Sequence, residues 1–268
     1  MNPFILTALI AGCLASIASG IIGSYVVIKR IVFISGSIAH SVLGGMGLAL
    51  FLNRTYGWTW LTPIVGALLS ALLAAFLIGW IHLRFRERED TVIGALWASG
   101  MALGVIFISL TPGSTNEILT FLFGNILWIS QSDIIVLVIA NSIILTSVIV
   151  LHRKLLAICF DEDQARLQRI SVTPLYLFLL SLVALTTVIL IQIVGAILVI
   201  AMLSLPAAIA NRCTYNLPRM MALASLLGIG FTAIGLAISY GLNWPPGATI
   251  ALTATVTYFA SLSIKQSI

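Results

Sequence analysis

Apolar residues run along this chain in long unbroken stretches, at roughly 3–28, 36–53, 60–81, 92–111, 133–151, 174–191, 194–210, 220–242 and 247–264. Hydrophobicity does not alternate residue by residue within them, as it does along barrel strands, so each stretch predicts a membrane-spanning helix. The segment from Pro174 to Ala210 is too long for one crossing. At ~1.5 Å per residue it would reach ~55 Å, against a hydrocarbon core of ~30 Å. A tight turn near Gln192–Gly195 divides it in two. The first stretch has no basic residues ahead of it and outruns the apolar core of a signal peptide, so it reads as a first span. The pattern predicts an all-α polytopic membrane protein, a bundle of about eight or nine transmembrane helices in one domain over residues 1–268.

Composition agrees: 60% of residues are hydrophobic and 8% charged, where a water-soluble domain carries about 25% charged residues. Most of the outer surface must therefore face lipid. The charges also predict sidedness. With the N-terminus outside, Lys29, Arg30, Arg84, Arg86, Arg88, Arg153, Lys154, Arg166, Arg169, Arg212, Arg219 and Lys265 all fall inside, and of the 13 basic residues only Arg54 falls outside. This is a positive-inside pattern for a multi-pass protein of the cytoplasmic membrane, with a cytoplasmic C-terminus if nine spans cross. The net charge of +5 thus reports orientation, not nucleic-acid binding. Tyr56, Trp58, Trp60, Trp128 and Trp244 gather at the expected outer ends, as an interfacial aromatic belt does.

Two segments do not fit a span. "STNEILTFLFGNILWISQSD" has an apolar part, Ile118 to Ile129, too short to cross, and predicts a short interfacial or re-entrant helix on the outer side. "CFDEDQARLQRISVTP" places Asp161, Glu162 and Asp163 ahead of Arg166 and Arg169, the charge order that suits a short helix. It reads as a cytoplasmic loop open to solvent or to a soluble partner. The run "RFRERED", 84–90, is a second polar loop on that side.

Catalytic signatures are few. The sequence has no G-x-x-x-x-G-K-[ST] phosphate loop, no H-E-x-x-H, and no cysteine or histidine cluster at zinc spacing. Cys13, Cys159 and Cys213 are scattered. Ser99, in "WASGM", could act as a nucleophile only with a base such as His40, and small hydroxyl residues are common in membrane helix packing. His82 and His152 sit beside arginines at span ends.

His40 is different. On a helix, its same-face neighbours are Gly36, Ser37, Gly44 and Gly47, a strip nearly without side chains. Two readings stand. In one, small residues let helices approach closely and the imidazole bonds a carbonyl across the interface. In the other, an ionisable group in a span lines a pathway, and a neutral imidazole suits a borderline divalent metal.

Several segments together resemble the permeases of metal-ion ABC importers, the group handling zinc, manganese or iron. They are "GSYVVIKRIVFISGSIAHSVLGGMGLAL" (23–50), "DTVIGALWASGMALGVIFI" (90–108), "LTFLFGNILWIS" (119–130), "FDEDQAR" (160–166), "VGAILVIAMLSLPAAIA" (194–210) and "WPPGATI" (244–250). The resemblance implies an importer half with a second permease subunit, most simply a homodimer. It also implies cytoplasmic ATPase subunits that bind and hydrolyse ATP, and an external metal-binding solute-binding protein. This chain would be no enzyme itself, hold no cofactor, and pass a divalent metal ion as cargo. By the same resemblance, Asp161, Glu162, Ala165, Arg166 and Arg169 belong to the helix that docks into the ATPase, and His40, with Ser37 beside it, is a metal contact. Many relatives carry Asp four residues before this histidine. Here that residue is Gly36, which removes the carboxylate partner and favours zinc over manganese. Where relatives often have Gly at the end of the docking helix, this chain has Arg169, so a different cap is expected. The alternative function is an ion-coupled secondary transporter or channel with His40 as relay.

Overall fold

The computed structural model describes residues 3–85, 89–112, 121, 124, 126 and 129–263. Ten helices occur among them and no strand. They are α1 (Pro3–Ile28), α2 (Val32–Tyr56), α3 (Pro63–Phe85), α4 (Glu89–Leu110), α5 (Gln131–Phe160), α6 (Glu162–Leu167), α7 (Val172–Val194), α8 (Ala196–Cys213), α9 (Leu217–Leu242) and α10 (Pro246–Leu262). Seven are long and apolar enough to cross a membrane: α1 to α5, α7 and α9. With the shorter α8 and α10, of 18 and 17 residues, they account for the nine apolar stretches. Arg86, Arg88, Trp128, Lys265 and most of the short helix expected over 118–129 lie outside the described residues.

The boundary between α7 and α8 is the single residue Gly195, with φ 85 and ψ 159. Only glycine enters that region of backbone space readily, so the chain breaks where the length argument requires. Helix α5 departs from expectation in the other direction. It continues nine residues past Leu151, through His152, Arg153 and Lys154, to Phe160. No Gly or Pro interrupts it, and at ~1.5 Å per residue its 30 residues reach ~45 Å, beyond the ~30 Å core. Pro174 does not begin α7 but is its third residue, within the first turn, where its missing N–H still has no intrahelical acceptor to lose.

The chain forms two compact units. One comprises residues 1–32, 122–150 and 189–268. Here α1 and α9 run antiparallel through small residues. A methyl on Gly20 would lie 2.6 Å from Ser225 Cα, and one on Gly228 3.0 Å from Ser16 Cβ. Ser16 and Thr232 share a hydroxyl hydrogen bond of 3.2 Å across the pair. With no hydrophobic driving force between helices in lipid, such close backbone approach and interhelical bonds supply the attraction. Gly23 backs onto Leu203 O of α8. A methyl on Gly235 would lie 2.6 Å from Ile250 Cα in α10. Gly124 (φ 74) fits against Val194 and Gly195, so two left-handed glycines meet at the α7–α8 break. Asn243 (φ 54) ends α9, Ser239 Oγ donates to Trp244 O at 2.6 Å, and Pro245 and Pro246 launch α10.

The other unit comprises residues 33–121 and 151–188, and it holds α2, α3 and α4, the end of α5, α6 and most of α7.

Candidate functional site

His40 lies in α2, 8% exposed, on the face that packs against α4. That packing is built from absent side chains. A methyl on Gly100 of α4 would fall 2.6 Å from Ser41 Cα and 3.0 Å from His40 O. One on Gly47 would fall 2.8 Å from Gly104 O. The room along the glycine strip is therefore occupied by the backbone of α4 at Gly44 and Gly47, which is the close-packing reading of those positions.

Two serines tie the helices. Ser37, fully buried, donates to Ile93 O at 3.0 Å, and Ser41 donates to Ser37 O at 2.9 Å and Leu96 O at 3.5 Å. The bond to a carbonyl across the interface is thus made by serine, not by the imidazole. His40 instead stacks on Trp97 of α4, with ring centroids 4.3 Å apart and planes 18° from parallel. Its Nδ1 is buried and has no hydrogen-bond partner. Such a stack is worth about 0.5–1.5 kcal/mol, while an unpaired buried polar atom costs about 1–3 kcal/mol. The two contributions are of similar size and opposite sign, so the stack largely offsets the unpaired nitrogen.

Ser99 sits on the exposed side of α4 and spends its hydroxyl on Leu96 O at 3.3 Å. It makes no bond to His40, so no nucleophile–base pair forms. Among the described residues no group of three or more His, Cys, Asp or Glu side chains could hold a metal. His40 therefore belongs to no such group, and Ser37 lies three residues before it on the same helix. His82 lies in the same unit, its ring 5.1 Å from that of Tyr176. A cavity of about 250 Å³ between Ile5, Leu236 and Trp244 of the first unit contains none of the expected site residues.

The second expected site is α6, a short helix as its charge order predicts. Asp161 caps it, its carboxylate accepting from Asp163 N at 2.9 Å and Gln164 N at 3.0 Å. Arg166 pairs with Asp163 at 3.6 Å and Glu162 at 3.9 Å. Ala165 turns inward, fully buried, while Phe160 and Leu167 stand 70% and 85% exposed at the two ends. Arg169 takes the left-handed conformation, φ 58, that glycine adopts at this position, and Ile170 N donates to Ala165 O at 3.0 Å to close the cap. The different cap expected from its side chain is not what forms. An L-residue in this region costs about 1 kcal/mol. Arg169→Gly is therefore expected to raise hydrogen-exchange protection of the Ile170 amide about fivefold. Unchanged protection would show that the arginine carries no strain.

Trp97 is the residue that sequence reasoning missed. The signal was present: Ile93, Trp97, Gly100 and Gly104 recur at helical spacing on one face of α4.

The model of the ABC 3 transport family matches residues 1–265. The chain is 44% identical over 265 residues to a probable metal transport system membrane protein of Chlamydia trachomatis, covering 99% of this chain and 90% of that protein. It is 34% identical to the manganese transport system membrane protein MntC of Listeria monocytogenes, over 96% of this chain and 89% of that one. The solved structure of PsaBC from Streptococcus pneumoniae in complex with Fab contains a chain that superposes with a TM-score of 0.85 at 32% identity. That match covers 97% of this chain and 91% of the other.

Proposed function

The chain belongs to the ABC 3 transport family, and from that premise we propose that it is the permease of an ATP-driven importer for a divalent transition metal. The observation that carries this reading is a family match running the length of the spans. The names of the Chlamydia and Listeria relatives supply the cargo class. ATP is hydrolysed by separate subunits, in keeping with a sequence that has no phosphate loop. Segment 160–169 docks into that ATPase: α6 is capped at both ends, salt-bridged on its surface, and flanked by the exposed Phe160 and Leu167. An external metal-binding protein delivers the ion, and two copies of the permease form the path across the cytoplasmic membrane. The N-terminus lies outside, by the distribution of basic residues.

His40 is the metal contact, with Ser37 beside it. A lone imidazole binds weakly, and a conducting site must release its ion. The donor chemistry favours zinc, and the name of the Listeria relative brings in manganese. Uptake of zinc, manganese and iron into vesicles holding the permease with its ATPase tests the reading. Accumulation of at least one metal is expected to require ATP. Uptake that persists without ATP and follows an ion gradient would make the protein a secondary transporter with His40 as relay.

A further inference from the structure

We propose that Trp97 is a positioning residue for the transported metal: its indole fixes the plane of the His40 ring, and so the direction in which Nδ1 offers its lone pair to the ion. The inference rests on the reading of His40 as a metal contact.

An imidazole that binds a metal is ordinarily oriented by a hydrogen bond from its second nitrogen to a carboxylate or carbonyl. His40 has no such bond. Its Nδ1 is buried without a partner. The neighbouring hydroxyls on its own helix, Ser37 and Ser41, give their protons to Ile93 O, Ser37 O and Leu96 O. Position 36, one turn back, is a glycine with nothing to offer. What holds the ring is the near-parallel stack on Trp97, at 4.3 Å and 18°.

A face-to-face contact restricts rotation about the bond to the ring without engaging either ring nitrogen. A metal must approach a nitrogen lone pair in the ring plane, so fixing the plane fixes the approach. Trp97 is itself held by α4, whose backbone is locked to α2 at Gly100 and again at Gly104. Packing and positioning are therefore separable here, because the helix contact survives without the indole.

The chain has 3 histidines, so ring-labelled histidine in the full-length permease, in lipid nanodiscs, gives three sets of magnetic-resonance signals. His40→Ala assigns the set for His40. In the wild type, zinc is expected to shift the His40 nitrogens, and the ring protons keep the ring-current displacement of the indole at saturating zinc. Trp97→Leu is expected to raise the half-saturating zinc concentration about fivefold, and Trp97→Phe to stay within about twofold of wild type. Unchanged His82 and His152 signals establish that each variant is folded. Half-saturation in Trp97→Leu equal to wild type overturns the proposal, as does equal weakening by Phe and Leu. If Trp97→Leu does not fold, the wild type decides: loss of the ring-current displacement on binding zinc shows that the stack is absent from the bound state. If zinc leaves the wild-type His40 signals unmoved, the metal-contact reading falls, and the role of Trp97 with it.

Discussion

Gly100→Ala is expected to cut the amount of folded protein in the membrane severalfold, while Gly94→Ala on the same helix leaves it at or above the wild-type level. Both add one methyl to α4. At position 100 that methyl meets the α2 backbone at the His40–Ser41 linkage, with Ser41 Cα at 2.6 Å and His40 O and Ser41 N at 3.0 Å. None of these atoms can rotate away, so α2 and α4 must separate. Overpacking of this kind costs about 1–3 kcal/mol. Separation also stretches the Ser37–Ile93 tie and the His40–Trp97 stack. A loss of about 1–2 kcal/mol changes abundance severalfold. At position 94 nothing lies within 4 Å, and alanine is the better helix former by about 0.8–1.0 kcal/mol. Quantitative immunoblots of membrane fractions, with melting of the purified protein, separate the two. Equal losses would mean that α2 and α4 do not approach as described.

Much of this architecture can be read from apolar run length, because in a bilayer each backbone polar group must be satisfied within its own helix. The expected and observed α1 coincide, and α9 begins three residues before its apolar run. The break at Gly195 follows from length alone. Run length fails where a helix continues past its apolar part, as α5 does beyond Leu151. There, the first charges end the hydrophobic signal, while the absence of Gly and Pro lets the helix go on.

Pairing between helices is harder to read. Gly44 and Gly47 look like space until Gly100 and Gly104 are known to fill it, and those partners lie more than 50 residues away. The same blindness affected His40. Its neighbours on α2 are visible in the sequence, but the ring that meets it lies on α4. "WASGM" invites attention to Ser99, whereas the ring that meets His40 is two residues earlier, at Trp97. At α6 the order of charges sufficed for the helix, yet the left-handed Arg169 is a backbone property that its residue type argues against.

His40→Ala is expected to lower metal uptake about tenfold or more while leaving the quantity and melting temperature of the assembled protein close to wild type. The two halves of this expectation come from different terms. Residues that merely orient metal ligands affect affinity or activity by about 10–100-fold when changed, so loss of a direct donor should do no less. For stability, the substitution removes a stack worth about 0.5–1.5 kcal/mol and also a buried Nδ1 whose lack of a partner costs about 1–3 kcal/mol. The two ranges overlap and oppose each other, so stability stays close to wild type. If His40 served packing alone, the outcome would be reversed: protein would be lost and uptake per assembled molecule preserved. Uptake normalised to permease in the membrane, set beside melting of the purified chain, distinguishes them. A parallel fall in protein level and uptake would reduce His40 to a packing residue, and the site would have to be sought elsewhere along the spans.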